Sequence, residues 1–453
     1  MHTILFNQHS QAMEFIPQIF FLVAVCVTGY LAGKRVLLIR KTIQLGKDDV
    51  RTDRPKERLR NMLLLALGQK KMFRKPVVGV LHFMVYAGFV LINIEMLEIV
   101  LDGLLGTHRV FSQPLGSFYT FVLNFFEILA FGVLLACVVF LLRRNVLKVE
   151  RFQPSRHREM KGWPFLDANI ILSLEVVLMA AFLTMNAADY ILQTRQYGHF
   201  AEVQTGPFVI SGGLLAPYFN GLSDTALFAI ERFTWWFHIL GVMFFMVYLT
   251  YSKHLHIVLA FPNTYFGDLD PKGKMHNMPA VSEEVKIMLG ITQAPENPAE
   301  VGRFGAKDVH DLSRKSLMDA YSCTECGRCT SACPANQTGK LLSPRKIMTD
   351  TRDRLEDIQQ GWLKNGYDYK DEKNLLGDYI SDEEILACTS CNACVQECPV
   401  MINPLSIILE LRRYRVMEES KAPQSWNMMF QNLETNMAPW KFSPDQRMEW
   451  VQE

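Results

Sequence analysis

Five long apolar segments set what this chain can fold into. They lie at Phe15–Ile39, Val77–Leu101, Phe118–Leu142, Leu166–Leu192 and Thr225–Tyr251. Each reaches the roughly 20 residues that an α-helix needs to cross a bilayer. Because lipid offers no hydrogen-bonding partner to the backbone, such segments must form helices. The sequence therefore predicts a bundle of five transmembrane helices.

The loops between these segments differ in charge. Lysines and arginines crowd the loops after the first and third segments, whereas the other two loops hold only Arg109 and Arg195. Loops rich in Lys and Arg stay on the cytoplasmic side of a membrane. We therefore expect the N-terminus outside and the C-terminal half in the cytoplasm, with the inner membrane as the location.

The composition changes at Pro262, after which the chain reads as a polar, soluble sequence. We predict a membrane domain over 1–260, an extended linker rich in Pro, Gly and Asn over 261–311, a compact domain over 312–420 and a tail over 421–453. The stretch from Ser343 to Glu384 favours helices, so the fold class is all-α. A net charge of +1 without a basic and aromatic stripe gives no reason to propose nucleic acid as a partner.

Eight of the ten cysteines form two runs with identical spacing, each closed by proline. Three cysteines at every third position, then a fourth before proline, are typical of a pair of [4Fe–4S] clusters that exchange their fourth ligands. Zinc sites and disulfide scaffolds have other spacings. We assign one cluster to Cys323, Cys326, Cys329 and Cys398, and the other to Cys388, Cys391, Cys394 and Cys333.

Two neighbouring clusters form a path for single electrons, and such a path needs a donor and an acceptor. Iron-ligating thiolates also require a reducing compartment. The cysteines therefore place the C-terminal half in the cytoplasm, in agreement with the charge of the loops.

Histidines are scarce in the apolar segments, and a buried histidine in lipid needs a partner such as haem iron. We predict His82 and His256 as the axial pair of an inner haem. His238, in the outer half of the fifth segment, lies eighteen residues before His256, about 27 Å along one helix face. His254 falls on the opposite face and is left to a quinone pocket, a haem propionate or the interface.

The ligands of an outer haem stay open on the sequence alone. Met96 lies fourteen residues after His82 on nearly the same helix face and could face His238. His108 and His199 in the outer loops are other candidates. One haem only, with a purely structural histidine at the other position, is the remaining alternative.

Acidic residues also occur within the apolar segments, where charge is costly and usually faces the bundle interior. A quinone that takes up or releases protons needs such groups. We name an outer quinone site with the candidate residues Glu95, Glu127, Glu231 and Arg232. An interfacial polar network is the alternative.

With these histidines and cysteines in view, the first half resembles the haem b gamma subunit of respiratory nitrate reductase. The whole chain resembles membrane-bound heterodisulfide reductase-related electron carriers, including those that connect electron-transferring flavoprotein to menaquinone. The pair His238 and His256 matches the fifth helix of the nitrate reductase relatives. In the second helix only His82 matches, because Ile92 stands where those relatives have another histidine.

The resemblance implies a five-helix cytochrome b bundle followed by a cytoplasmic ferredoxin-type dicluster domain. It further implies electron transfer between menaquinone and a cytoplasmic partner through one or two b haems and two [4Fe–4S] clusters. Asn432–Trp440 resembles the segment that precedes Cys-Cys-Gly modules in fused relatives. We therefore expect a separate Cys-Cys-Gly-type iron–sulfur subunit, and a flavoprotein as a further partner, with the tail in contact.

Two other functions would use part of the same pattern. A haem-free membrane anchor could recruit a soluble iron–sulfur reductase, and the histidine positions argue against it. An ion transporter would need a continuous polar path, which the segments lack.

Overall fold

The computed structural model describes residues 15–49, 51–203, 205–295, 302–442 and 444–452. These residues are largely helical, and no strand occurs among them. We number the α-helices of at least eight residues α1 (Ile16–Ile43), α2 (Pro55–Met62), α3 (Pro76–Leu105), α4 (Ser117–Asn145), α5 (Trp163–Thr194), α6 (Asp224–Leu249), α7 (His256–Tyr265), α8 (Pro279–Met288), α9 (Arg314–Ser322), α10 (Pro344–Asn365), α11 (Pro404–Arg413) and α12 (Gln424–Asn436).

Shorter elements connect these helices. The single α-turns are Ser112–Leu115, Ala216–Phe219, Arg328–Ser331, Pro334–Gln337, Asp382–Leu386 and Ala393–Glu397. The 3₁₀ turns are Met72–Arg74, Glu150–Phe152, Arg158–Met160, Gly198–Ala201, Lys253–Leu255, Val309–Asp311 and Pro444–Val451. The π turns are Leu63–Leu67, Ser211–Leu215, Leu375–Tyr379 and Tyr414–Glu418.

The five predicted membrane segments are confirmed as the long helices α1, α3, α4, α5 and α6. Each is long and apolar enough to cross a membrane. Proline occupies the first turn of α3 and of α5, where its missing N–H costs nothing. Helices α3 and α4 approach closely at Gly88, because a Cβ there would collide with the Val133 side chain.

The fifth span ends earlier than the sequence suggested, at Leu249. The buried carboxylate of Asp167 on α5 accepts hydrogen bonds from Ser252 Oγ (3.1 Å) and from the Lys253 backbone N–H (3.2 Å). These bonds hold a 3₁₀ turn, after which α7 begins at His256. The expectation that His238 and His256 share one continuous helix is therefore wrong, and so is the opposite-face placement of His254.

The soluble domain packs against one end of the bundle, which we call the dicluster end. Contacts cross this junction between α1 and α9, where Thr42 Oγ1 and Tyr321 Oη lie 3.0 Å apart. Buried Leu317 and Ile347 lie in one apolar cluster with Ile39 from the bundle. We call the other end of the bundle, formed by helices α3 to α6, the far end.

The predicted linker and tail contain regular structure. Residues 261–265 complete α7, so the last helix of the first domain passes the expected boundary at 260, and α8 lies inside the segment expected to be extended. The described part of the tail contains α12 and exposed apolar side chains such as Met437 and Trp440. Its contact with a partner stays a prediction.

Candidate electron-transfer site

The two cysteine runs fold alike. In each run the residue before the second cysteine has a positive φ, 55° at Glu325 and 56° at Ser390. The residue after that cysteine also does, with φ of 70° at Gly327 and 61° at Asn392. Glycine and asparagine are the residues that adopt this conformation most readily. The repeat in sequence is thus also a repeat in backbone geometry.

The fold brings the fourth cysteine of each run to the other run. Burial raises the pKa of the Cys398 thiol to about 11, and the nearby Cys326 thiol adds to the shift. Burial likewise raises the pKa of Cys333, and Cys388 and Cys391 contribute. All ten cysteines lie in the described residues, and each is a free thiol. This crossed arrangement is the one that exchanged cluster ligands require.

Basic side chains that the sequence analysis did not single out hold the backbone of the cysteine runs. Lys71 Nζ donates to the Cys398 carbonyl at 2.8 Å, and Arg412 Nη2 donates to the Cys388 carbonyl at 2.7 Å. Such outer contacts fix the orientation of ligands. The cluster of Arg412, Arg413 and Arg415 in the sequence could have drawn attention to Arg412. Lys71 could not be told apart from the many other basic residues of its loop.

One cavity of about 400 Å³ joins the bundle to the first cysteine quartet. Its wall includes His82, His238, His254 and His256 on the bundle side. On the other side it includes five cysteines, which are the four predicted ligands of the first cluster, Cys323, Cys326, Cys329 and Cys398, and Cys394 of the second run. The size lies in the range of small-molecule and cofactor sites. The predicted inner haem ligands and the predicted first cluster ligands therefore border the same space.

Three of these histidines are oriented through their Nδ1 atoms. His82 Nδ1 lies 3.0 Å from Gln69 Oε1, His238 Nδ1 lies 3.0 Å from the Leu178 carbonyl, and His256 Nδ1 lies 3.0 Å from the Lys253 carbonyl. An acceptor at Nδ1 places the proton there and leaves Nε2 free to ligate a metal. The histidines thus fit axial ligation of haem iron. Sequence reasoning missed Gln69, because it lies outside the predicted segments.

His254 differs from the other three histidines. Its Nδ1 is buried and has no hydrogen-bond partner among the described residues. Burial lowers the pKa of His254 well below its usual range, and the nearby His256, Lys253 and His82 act in the same direction. The His254 and His256 ring centroids are 5.4 Å apart. Both rings therefore face one cavity.

His238 lies near the middle of the bundle rather than in its outer half, since it is residue 15 of the 26 in α6. Its neighbours include the Phe182 ring on α5, with a centroid separation of 5.8 Å. Met96 lines the same cavity and also packs in an apolar cluster with Ile239. Met96 therefore stays a candidate ligand, with a packing role as the alternative.

The other candidate outer ligands do not face His238. The rings of His108 and His199 lie 5.2 Å apart at the far end, beside Phe200. His108 Nε2 is 3.6 Å from Asp189 Oδ1. Neither ring lines the cavity. Their position favours a far-end polar role over haem ligation in the cavity.

A buried polar network occupies the far end. Arg109 Nε donates to Asp189 at 2.7 Å and its Nη2 donates to Asn186 Oδ1 at 3.0 Å. Asn186 donates in turn to Glu127 Oε1 at 3.2 Å. Glu95 is buried close by, and its Oε2 has no partner among the described residues. Two of the predicted quinone-site carboxyls, Glu95 and Glu127, thus border one network.

The other two quinone-site candidates lie apart from this network. Glu231 and Arg232 form an ion pair with each other, and the Arg232 guanidinium lies 5.5 Å from the Trp235 ring centroid. Among the described residues, neither Glu231 nor Arg232 shares a side-chain hydrogen-bond partner with Glu95 or Glu127. The four candidates therefore form two separate groups.

Comparison with known families identifies the cysteine-rich segment. Residues 322–402 match the 4Fe-4S dicluster domain. This match spans both cysteine runs and the helix between them. No solved structure is significantly similar to the chain.

Three relatives show what kind of protein this chain is similar to. A probable iron-sulfur-binding oxidoreductase, FadF of Bacillus subtilis, is 27% identical over 95% of this chain and 61% of its own length. The EtfAB:quinone oxidoreductase of Syntrophomonas wolfei is 27% identical over 90% of this chain and 56% of its own length. One component of a CoB-CoM heterodisulfide reductase from Methanosarcina acetivorans is 33% identical over 26% of this chain and 60% of its own length.

The homologues are thus iron–sulfur oxidoreductases, and this chain is an iron–sulfur electron-transfer protein related to them. It spans about three-fifths of the length of the first two relatives.

Proposed function

We propose that this chain carries electrons between a quinone in the membrane and a soluble redox partner. The route comprises one or two b haems in the bundle and then the two [4Fe–4S] clusters. Menaquinone is the quinone that the sequence resemblance favours. The dicluster domain faces the cytoplasm, because the basic loops of the bundle lie at the dicluster end.

The observation that carries this proposal is the shared cavity. His82 and His256 border it from the bundle, each with Nδ1 held by an acceptor, and Cys326 and Cys329 border it from the soluble domain. A bundle that only anchored a reductase would have no need for oriented, buried imidazoles at this junction. When bound there, haem supplies one-electron chemistry.

The chain's own groups position and insulate the path. Gln69 and Lys253 fix the two imidazoles through Nδ1. A buried ion pair between Lys253 Nζ and Glu325 Oε2, at 2.6 Å, links the first cysteine run to the turn just before His256. These contacts would hold a haem and the first cluster in a fixed relation.

The far-end network supplies groups for proton exchange with a quinone. Glu95 offers a carboxyl oxygen without a partner among the described residues, and Glu127 connects through Asn186 to Arg109. A buried carboxyl inside a bundle is costly, and such a group usually marks a functional site. We propose Glu95 as the group that exchanges a proton with the quinone, with Glu127 in support.

The second cysteine quartet is the proposed exit to the partner. Cys391 is exposed, whereas no member of the first quartet is. A Cys-Cys-Gly-type iron–sulfur subunit or an electron-transferring flavoprotein would dock there. The EtfAB:quinone oxidoreductase name of one relative supports a flavoprotein at one end and quinone at the other. The direction of flow is set by the potentials of these partners.

Spectroscopy of the purified full chain tests the proposal. The dithionite-reduced spectrum should contain b-type haem bands, and chemical analysis should find about eight non-haem irons per chain. His82→Ala and His256→Ala should each remove haem while the clusters remain. His276→Ala is the control, because His276 is an exposed histidine outside the cavity.

The result also separates the alternative. Clusters without any haem absorption would leave the membrane-anchor function. Full haem content in both His82→Ala and His256→Ala would disprove the ligand assignment. For the quinone step, Glu95→Gln should slow haem reduction by a menaquinol analogue without changing haem content.

A further inference from the structure

The cavity between the bundle and the dicluster domain contains more positive charge than the protein neutralises. Five basic side chains line it, which are Arg144, Arg151, Lys253, Arg328 and Arg345. Lys253 pairs with Glu325 at 2.6 Å and Arg345 pairs with Glu159 at 2.9 Å. Among the described residues, the other three have no carboxylate within 4 Å. Buried cations without a counter-charge are strongly unfavourable, so the cavity is built for an anion.

Arg144 and Arg151 have donors that point to such a ligand. The Nε atom of each is buried and has no hydrogen-bond partner in the described part of the chain. Arg144 is 6% exposed, and its Nη2 donates only to backbone carbonyls, with Phe165 O at 3.0 Å. The two guanidinium groups approach the same Phe152 ring, at 5.2 and 4.9 Å from its centroid. Each of these two adjacent guanidinium groups therefore has a buried Nε–H donor without a partner among the described residues.

The first [4Fe–4S] cluster with its thiolates would be one anion near this region. Arg328 lies inside the first cysteine run, next to Cys329, and its charge belongs with that cluster. Arg151 lies beside the first cysteine run, close to Gly327 and Cys326, whereas Arg144 comes from α4. Glu175, the other acidic side chain of the cavity wall besides Glu325, lies twelve residues into α5, about 18 Å along the helix. Neither the cluster nor Glu175 accounts for Arg144.

A second anion would engage both arginines. A b-type haem between His82 and His256 would present two propionate carboxylates, and guanidinium groups bind carboxylates through paired hydrogen bonds. We propose that Arg144 and Arg151 bind the propionates of the inner haem. This inference rests on the proposed function, because it requires a haem in the cavity.

Reconstitution with two porphyrins tests the inference. The full chain, produced in a haem-deficient host and purified in detergent, is titrated with protohaem and with protohaem dimethyl ester, in which the carboxylates are blocked. Wild-type chain should bind protohaem about tenfold or more tighter than the ester, as expected for charge-assisted hydrogen bonds. Arg144→Gln and Arg151→Gln should each weaken protohaem binding about tenfold and leave ester binding unchanged.

Controls separate the possible results. Arg143→Gln changes the adjacent arginine on α4, which does not line the cavity, and should behave as wild type. Arg144→Lys should recover part of the protohaem affinity, because it keeps the charge but loses the paired geometry. Cluster absorbance reports folding in every variant.

Three outcomes would overturn the inference. The first is equal affinity of wild-type chain for the two porphyrins. The second is equal weakening of both porphyrins in the variants, which would mean a structural role for the arginines. The third is unchanged haem affinity with a shifted cluster potential, which would assign the arginines to the cluster. A wild-type chain with intact clusters that binds neither porphyrin would instead refute the proposed function itself.

Discussion

A buried ion pair between Arg345 and Glu159 links the dicluster domain to the bundle. The Arg345 side chain on α10 is fully buried, and its Nη2 and Nε lie 2.9 and 3.1 Å from Glu159 Oε1 in the loop between α4 and α5. Ser343 Oγ donates to the same oxygen at 2.6 Å. Arg345→Met would leave the Glu159 carboxylate buried without its counter-charge. We expect a loss of about 3 to 5 kcal/mol of stability, the usual cost of breaking a buried pair.

A double-mutant cycle with Glu159→Gln measures the interaction itself. Each single change removes one partner, so each should be costly, and the double variant should lose less than the sum of the two by about 1 to 3 kcal/mol. The assay is urea unfolding of the full chain in detergent, followed by the absorbance of the clusters, with equal slopes across the variants.

The pH dependence gives an independent check. Burial alone raises the pKa of Glu159, but Arg345 and Ser343 outweigh burial and hold the pKa below its usual value. In the wild type, the contribution of Glu159 to the free energy of unfolding is therefore constant at pH values above the usual pKa of a glutamate. It is lost as the pH falls below that value. In Arg345→Met, burial is left uncompensated and the pKa rises. That variant should recover stability as pH falls from neutral towards the ordinary carboxyl range, as Glu159 takes up a proton.

Additive single-variant losses, within about 0.5 kcal/mol, would refute a direct interaction across the junction. A pH-independent deficit in Arg345→Met would show that Glu159 does not carry the effect.

Three further predictions concern other contacts. Cys391→Ser should remove the second cluster and leave the first, so electron paramagnetic resonance of the reduced chain should lose the signal of interacting clusters; loss of both signals would contradict the separate quartets. Gln69→Leu removes the acceptor of His82 Nδ1 and should shift the inner haem potential upwards and weaken haem binding about 10- to 100-fold, which a redox titration checks; an unchanged potential would remove Gln69 from the ligand's support. Arg354→Met breaks the buried pair with Asp308, 2.9 Å away, and should lower the stability of the dicluster domain by about 3 kcal/mol in urea titrations, whereas a loss below about 0.5 kcal/mol would count against the pair.

The sequence alone determined the elements that depend on local composition and spacing. Lipid offers no hydrogen-bond partner to the backbone, so an apolar segment long enough to cross it must form a helix. All five spans were therefore predictable within a few residues. The spacing of each cysteine run is likewise a local property. It indicated iron–sulfur ligation, and the match of residues 322–402 to the dicluster domain supports the same conclusion.

Sequence patterns and helical periodicity could not predict the contacts between segments that are distant in sequence. Helical periodicity placed His254 and His256 on opposite faces, because nothing near them in sequence reveals that Asp167, more than eighty residues earlier, ends α6 at Leu249. The acceptor Gln69 lies 13 residues before His82, and the counter-charges of Lys253 and Arg345 lie 72 and 186 residues from them in sequence. Burial in a low-dielectric junction makes each such group depend on what the fold brings to it, and that is decided only by tertiary structure.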